Sequence, residues 1–259
     1  APSLLILIPA YNEERRIGPT LERYVRYFEE RYRAPFQILV VLNGCRDNTL
    51  GVVEAVASRH PQVRWVMFSA PIGKGGALIE GLRFAEQADY IGYIDADGST
   101  GPESFLRLVE ACRSVDCVVG SRRVEGSVIQ QAQPTRRMFA SKVFHIIVEV
   151  LFRMRIHDTQ CGAKVLRRGA VLRIHDTLHI ADMAFDINLL YSLKRSGLRV
   201  AEVPVEWSDD ANSTVRYFRT SLVMFLSVVR LRLVHSPFYK WLRPLRSEEH
   251  TSELQSHHD

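Results

Sequence analysis

The stretch GYIDADGST (Gly92–Thr100) closes an apolar run with two aspartates one residue apart. If the extended chain persists, residues i and i+2 leave a strand on one face, and Asp95 and Asp97 point together. Two carboxylates that close repel unless a cation lies between them or one takes up a proton. A purely local use competes with this, an Asx turn or cap at a strand end. Similar polar groups follow other apolar runs: Tyr11-Asn12-Glu13, Asn43-Gly44 and Ser121-Arg122-Arg123. GKGGA (Gly73–Ala77) lacks Walker spacing. As a Gly-rich start of a helix it could admit a ligand close to backbone, with Lys74 reaching a phosphate or a base, or simply serve a turn.

These groups need elements that bring them together. SLLILIPAY, FQILVVLNG, VRWVMF, YIGYIDAD and DCVVGSR read as strands, the first two as buried ones and the first as a continuous apolar run. Between them lie amphipathic or capped helical segments, EERRIGPTLERYVRYFEERYR, DNTLGVVEAVASRH, GGALIEGLRFAEQA and PESFLRLVEACRS. Strand and helix in alternation predict an α/β fold with a doubly wound, mostly parallel sheet and helices on both faces. In such sheets ligands sit at the carboxyl ends of the strands, where the polar groups fall. The second half is less regular. A long helix is expected over TRRMFASKVFHIIVEVLFRMR, then a segment IHDTQCGAKVLRR, a helix DMAFDINLLYSLKRSG and a strand RVAEVPVEW.

The 259 residues are 46% hydrophobic and 24% charged, enough for one large domain and an appendage. The net charge of +5 favours anionic partners. It is concentrated: Asn212 to Arg246 holds no Asp or Glu but carries Arg216, Arg219, Arg230, Arg232, Lys240, Arg243 and Arg246. Cys45, Cys112, Cys117 and Cys161 show no CxxC pair, which suits reduced thiols in an intracellular protein. No run reaches the ~20 apolar residues of a membrane span. Ala1 is not a methionine, which leaves room for an upstream segment. RSEEHTSELQS (Arg246–Ser256) has no apolar periodicity and looks like a translated sequencing-library adapter, so the natural C-terminus is expected to be absent. The expected division is one large domain over 1–211, a basic amphipathic segment over 212–245 and a non-native tail over 246–259.

PAYNE (Pro9–Glu13), GKGGA, DADG (Asp95–Gly98), GSR (Gly120–Arg122), DTQCG (Asp158–Gly162) and AFD (Ala184–Asp186) occur in one order. Together they resemble the family 2 glycosyltransferases, within them the dolichyl-phosphate glucosyltransferase and mannosyltransferase branch, over roughly Leu4 to Leu233. The resemblance implies a GT-A type fold and roles for these residues. Asp97, with Asp95, would hold Mg²⁺ or Mn²⁺ against the donor diphosphate, a setting that suits hard cations with oxygen ligands. Pro9, Ala10, Tyr11, Glu13, Asn43, Lys74 and Ala96 would line the nucleotide-sugar pocket. PAYNE also reads as a turn opening a helix, with Asn12 as its cap. One departure is plain: the family usually carries two aspartates after the second strand, where Leu42 and Asn43 stand here. Asn43 could accept from a base through its amide oxygen, without charge.

The branch's acceptor is a polyprenyl phosphate, already an oxyanion, which needs orientation and charge balance more than a base. Arg122 with Arg137 and Ser141, the last two one helical turn apart, match its acceptor-phosphate residues. Solubilising a helix start is the other use of Arg136 and Arg137. Asp186 would orient acceptor or sugar, or act as a general base; alternatively it serves the helix dipole. His175, His179, Asp182 and Asp186 match no known ligand pattern and read as helix surface and loop.

The basic stretch FRTSLVMFLSVVRLRLVHSPFYKWLRP suits an interfacial helix on an anionic membrane surface, with aromatic anchors. A core helix packed on the sheet is the competing use. No nucleic-acid recognition module accompanies the charge. The expectation is an inverting, metal-dependent transfer of a hexose, from UDP-glucose or next from GDP-mannose, to a polyprenyl phosphate at the cytoplasmic face of a membrane. Transfer to a sugar hydroxyl, and a non-catalytic sugar-nucleotide-binding scaffold, are the alternatives.

Overall fold

The computed structural model describes residues 1–129, 135–207 and 226–233, with side chains over 1–128, 144–207 and 226–233. The apolar runs form β1 (Leu4–Ala10), β2 (Phe36–Asn43), β3 (Val63–Phe68), β4 (Tyr90–Tyr93) and β5 (Cys117–Ser121), as their sequences predict. Helices α1 (Ile17–Arg31), α2 (Thr49–Ala57), α3 (Gly73–Leu82) and α4 (Pro102–Ala111) alternate with them. Pro19 sits in the first turn of α1, where its missing N–H leaves no bond unmade. β6 (Val128–Ile129), α5 (Thr135–Phe152), β7 (Lys164–Arg167), α6 (Arg168–Ile174), α7 (Phe185–Arg195), β8 (Val200–Pro204) and β9 (Glu206–Trp207) complete the chain, with residues 226–233 helical.

Seven strands make one sheet in the order β3-β2-β1-β4-β7-β5-β8. All pairings are parallel except those of β7, which runs antiparallel between β4 and β5. The chain steps from β1 outward to β2 and β3, then returns to the far side of β1 as β4. That reversal opens a crevice at the carboxyl ends of β1 and β4. Helices α1, α2 and α4 pack together over one face, and α3, α6 and α7 over the other. Burial on both faces explains why β1 and β2 are apolar almost throughout. On the first face Tyr24, Phe28, Phe36 and Phe105 meet ring to ring.

Two expectations differ. β4 ends at Tyr93, and a turn begins by Ala96, so Asp95 and Asp97 are not successive residues of one strand face. IHDTQCGAKVLRR contains a strand, β7, which its polar start concealed. The proposed boundary at 211/212 and the tail from 246 lie outside the described residues. Among the described residues no helix is long and apolar enough to cross a membrane. All four cysteines are unpaired, and burial pushes the Cys112 thiol up to about 12 and that of Cys161 to about 11.

Candidate active site

The site is assembled at the crevice. Backbone continues from β4 by a bond from Ile94 N–H to Leu7 O, then turns so that Asp95 and Asp97 stand at its rim, both part-exposed. Asp97 Oδ1 accepts from the Ser99 N–H at 2.9 Å, the Asx turn that competed with a ligand role, and this bond engages one oxygen of the carboxylate. Thr20 Oγ1 donates to Ala96 O at 3.1 Å, and Tyr24 OH to Thr100 O at 2.9 Å, tying the turn to α1.

Asp95 Oδ1 pairs with Lys74 Nζ at 2.5 Å. Burial works against the Lys74 charge, but Asp95, Asp186 and Asp97 overcome it and hold the amine above its ordinary value. Lys74 therefore remains a cation facing three carboxylates. The surrounding glycines serve local geometry, one of the two uses expected of them. Gly73 has φ +77°, and a Cβ there would lie 2.3 Å from Ala181 O; one at Gly75 would lie 2.5 Å from Ile180 O. They let α3 close on the chain's own backbone before α7, and that seats Lys74.

From β1, Tyr11 is exposed, Pro9 half-buried and Ala10 buried. The Glu13 N–H donates to Thr49 Oγ1 at 2.8 Å, and its carboxylate takes Arg16 Nε and Nη2, each at 2.7 Å. Burial raises the Glu13 carboxyl; Arg16 lowers it, and Asp97 and Asp95 raise it further. A third acidic group thus shares the field of the aspartate pair. Asn12 has φ 55°, and its Oδ1 accepts from the Arg46 N–H at 2.8 Å. Asn43 is buried, and its Oδ1 accepts the Ile72 N–H at 2.6 Å. This bond fixes the approach to α3 and uses one of the two lone pairs of the amide oxygen.

Arg122 follows β5. Its Nε and Nη2 grip Asp158 at 2.7 and 2.9 Å, and its guanidinium lies 5.0 Å over the Trp207 ring. Burial opposes the Arg122 charge, but Asp158 and more weakly Asp95 raise its value. Glu202 of β8 accepts the N–H groups of His157 and Asp158, each at 3.0 Å, and so steadies the grip. Burial raises the Asp158 carboxyl, yet Arg122 outweighs it and holds it below the ordinary 3.8. With the folded value depressed, the pair's contribution is present in full above the unfolded value. It is lost as pH falls below 3.8 and through the lowered value. Asp158→Asn should cost about 2 kcal/mol at neutral pH and flatten the acid limb. Urea unfolding of both proteins from pH 7 downward checks this; parallel acid limbs would refute it.

Asp186 is buried within electrostatic reach of Lys74. It is 3% exposed, and its Oδ1 takes Lys164 Nζ at 2.6 Å and Tyr93 OH at 2.5 Å. Lys164, fully buried, also donates to Cys161 O at 2.7 Å. One oxygen of Asp186 is thus committed to a buried ion pair, which leaves Oδ2 for the orienting or general-base role expected of it. Its place in the first turn of α7 also fits the helix dipole. Positions 137 and 141 lie one turn apart on α5, but their side chains are outside those described.

Sequence reasoning missed Tyr93, Lys164 and Trp207, and gave Asp158 only as part of the DTQCG motif. A lysine within the apolar run AKVL was the available signal, since a buried lysine needs a carboxylate. It also missed a cavity of about 290 Å³ beside Asp97, walled by Arg15, Arg16, Thr20, Arg23 and Tyr24. A second cavity of about 290 Å³, near Ala1 and Arg113, contains none of the site residues.

The donor set suits a hard cation. Two part-exposed carboxylates, with Glu13 behind them, make a negative rim of oxygen donors. Among the described residues no group of three or more His, Cys, Asp or Glu is arranged to hold a metal, so substrate oxygens and water would complete a shell.

A mostly parallel sheet with acids at its reversal point and cations around them is the GT-A type of fold. Residues 5–174 match the model of the Glycosyl transferase family 2, and the chain belongs to that family. It is 30% identical over 244 residues to a dolichyl-phosphate beta-glucosyltransferase of Dictyostelium discoideum, covering 88% of this chain and 73% of that one. It is 34% identical over 221 residues to one of Trichomonas vaginalis, covering 81% and 65%. In fold it is similar to glucosyl-3-phosphoglycerate synthase of Mycobacterium tuberculosis solved with Mn²⁺, UDP and glucosyl-3-phosphoglycerate. That likeness has a TM-score of 0.66 at 17% identity and covers 90% of this chain and 80% of that one.

Proposed function

We propose that the chain transfers glucose from UDP-glucose to a polyprenyl phosphate, with inversion, at the cytoplasmic face of a membrane. The observation that carries this is the field at the crevice: Asp95 and Asp97 at the rim, with the cations Lys74 and Arg122 within electrostatic reach. Such a field suits a diphosphate leaving group and an anionic acceptor together. The dolichyl-phosphate glucosyltransferases it resembles at 30 and 34% identity support the sugar and the carrier.

In this reading a phosphate oxygen of the carrier attacks the anomeric carbon as its bond to the nucleotide diphosphate breaks on the opposite side. An α-linked donor gives a β-linked product. No proton need leave the nucleophile, which agrees with Asp186 being committed to Lys164. Arg122, with Arg137 and Ser141, would orient the acceptor phosphate, while Lys74 balances donor charge. Asp95 and Asp97 would hold Mg²⁺ or Mn²⁺, which supplies neutralisation of the charge on the departing diphosphate. Pro9, Ala10, Tyr11, Glu13 and Ala96 would shape the nucleotide pocket. An anionic membrane surface is the proposed dock. Exposed Ile146 and Val150 on α5, with Leu226, Arg230 and Leu233 on the helical turn 226–233, are the side chains that favour it.

Incubating the protein with labelled UDP-glucose, Mn²⁺ or Mg²⁺ and a short polyprenyl phosphate should give a labelled lipid. Label appearing only in glycan would transfer the acceptor role to a hydroxyl. Nucleotide binding without any product from the common nucleotide sugars would mark a binding protein and defeat the proposal.

A further inference from the structure

The DTQCG motif reaches the crevice through the loop before β7, and its glycine has a placement that the mechanism above does not use. A Cβ built on Gly162 would lie 1.9 Å from Asp95 Oδ2 and 2.5 Å from its Cγ. Gly162 does not adopt the left-handed conformation, so backbone freedom is not the reason for a glycine there. The reason is space: the Asp95 carboxylate rests on the bare backbone, with Lys74 on its other oxygen. The rest is itself fixed on each side. Cys161 O is held by Lys164 Nζ at 2.7 Å, and Ala163 O accepts the Gly120 N–H at 2.9 Å. At the far end of the loop, Asp158 is gripped by Arg122.

We infer that Gly162 is a positioning residue for the cation site: its missing side chain sets the direction of the Asp95 carboxylate. The inference rests on the proposed cation role of Asp95. An alanine at 162 drives the carboxylate away from both Lys74 and a shared cation, although it touches neither. Outer contacts of this kind are worth about 10- to 100-fold in metal affinity.

The test is a cycle of Gly162→Ala, Asp95→Ala and the double variant, read by melting temperature and by Mn²⁺ binding in the presence of UDP, followed through the spin-resonance signal of free Mn²⁺. Gly162→Ala should weaken Mn²⁺ binding about 10- to 100-fold. In the Asp95→Ala background the same methyl should change neither binding nor melting temperature, because the carboxylate it displaces is gone. Wild-type affinity in Gly162→Ala, or an equal melting-temperature loss in both backgrounds, would overturn the inference. If the wild-type protein binds no Mn²⁺ with UDP, the cation reading falls by itself, and the melting-temperature cycle still decides the contact.

Discussion

Asp97→Ala should reduce sugar transfer by about 10³-fold or more, equivalent to about 4 kcal/mol of barrier, with little change in melting temperature. Asp97 is part-exposed at the rim, so the fold gains little from its charge. The hydrogen bond it accepts from the Ser99 N–H holds a turn that Thr20 and Tyr24 also tie down. Asp97→Asn separates the two contributions. The amide oxygen can keep the Ser99 bond, while the negative charge that would meet a cation is removed. Both variants should therefore be nearly inactive, and only the alanine should loosen the turn. Steady-state transfer rates at saturating Mn²⁺ and Mg²⁺ decide the matter. Turnover close to wild type in Asp97→Asn would remove this carboxylate from the chemistry.

Lys164→Ala should lower stability by about 3–5 kcal/mol, the scale for leaving one member of a buried ion pair alone. Lys164 is fully buried and Asp186 nearly so, 2.6 Å apart, with Tyr93 sharing the same oxygen. Deleting the ammonium strands a carboxylate that water cannot reach and frees Cys161 O as well. Lys164→Met with Asp186→Leu removes both charges and should be the milder change, although Tyr93 OH then loses its acceptor. Denaturant midpoints of the two proteins give the comparison. A single variant as stable as the double would mean that the pair is already hydrated, contrary to the burial described.

The part of the site that could be read from the sequence is the part that depends on short-range pattern. Apolar runs followed by polar residues located the carboxyl ends of β1, β2, β4 and β5, and Asp95, Asp97, Lys74 and Arg122 do gather there. What escaped depends on partners distant in the chain. Asp186 looks like an available helix-start carboxylate until Lys164 and Tyr93 are placed beside it. Asn43 looks free until Ile72 claims its oxygen. β7 escaped because four residues beginning with a lysine carry no strand period, and only the gap between β4 and β5 makes them a strand. The parallel alternation before it gave no warning of a reversed neighbour.

That reversed strand also orders events during synthesis. β4 and β5 leave the ribosome well before their common neighbour, and neither can bond to the other across the vacant lane. Until Lys164–Arg167 has emerged, β4 presents a bare edge and β5 has nothing to join it to the rest. A nascent chain stopped short of that point is half a sheet with a sticky margin, the state in which chaperones have most to protect.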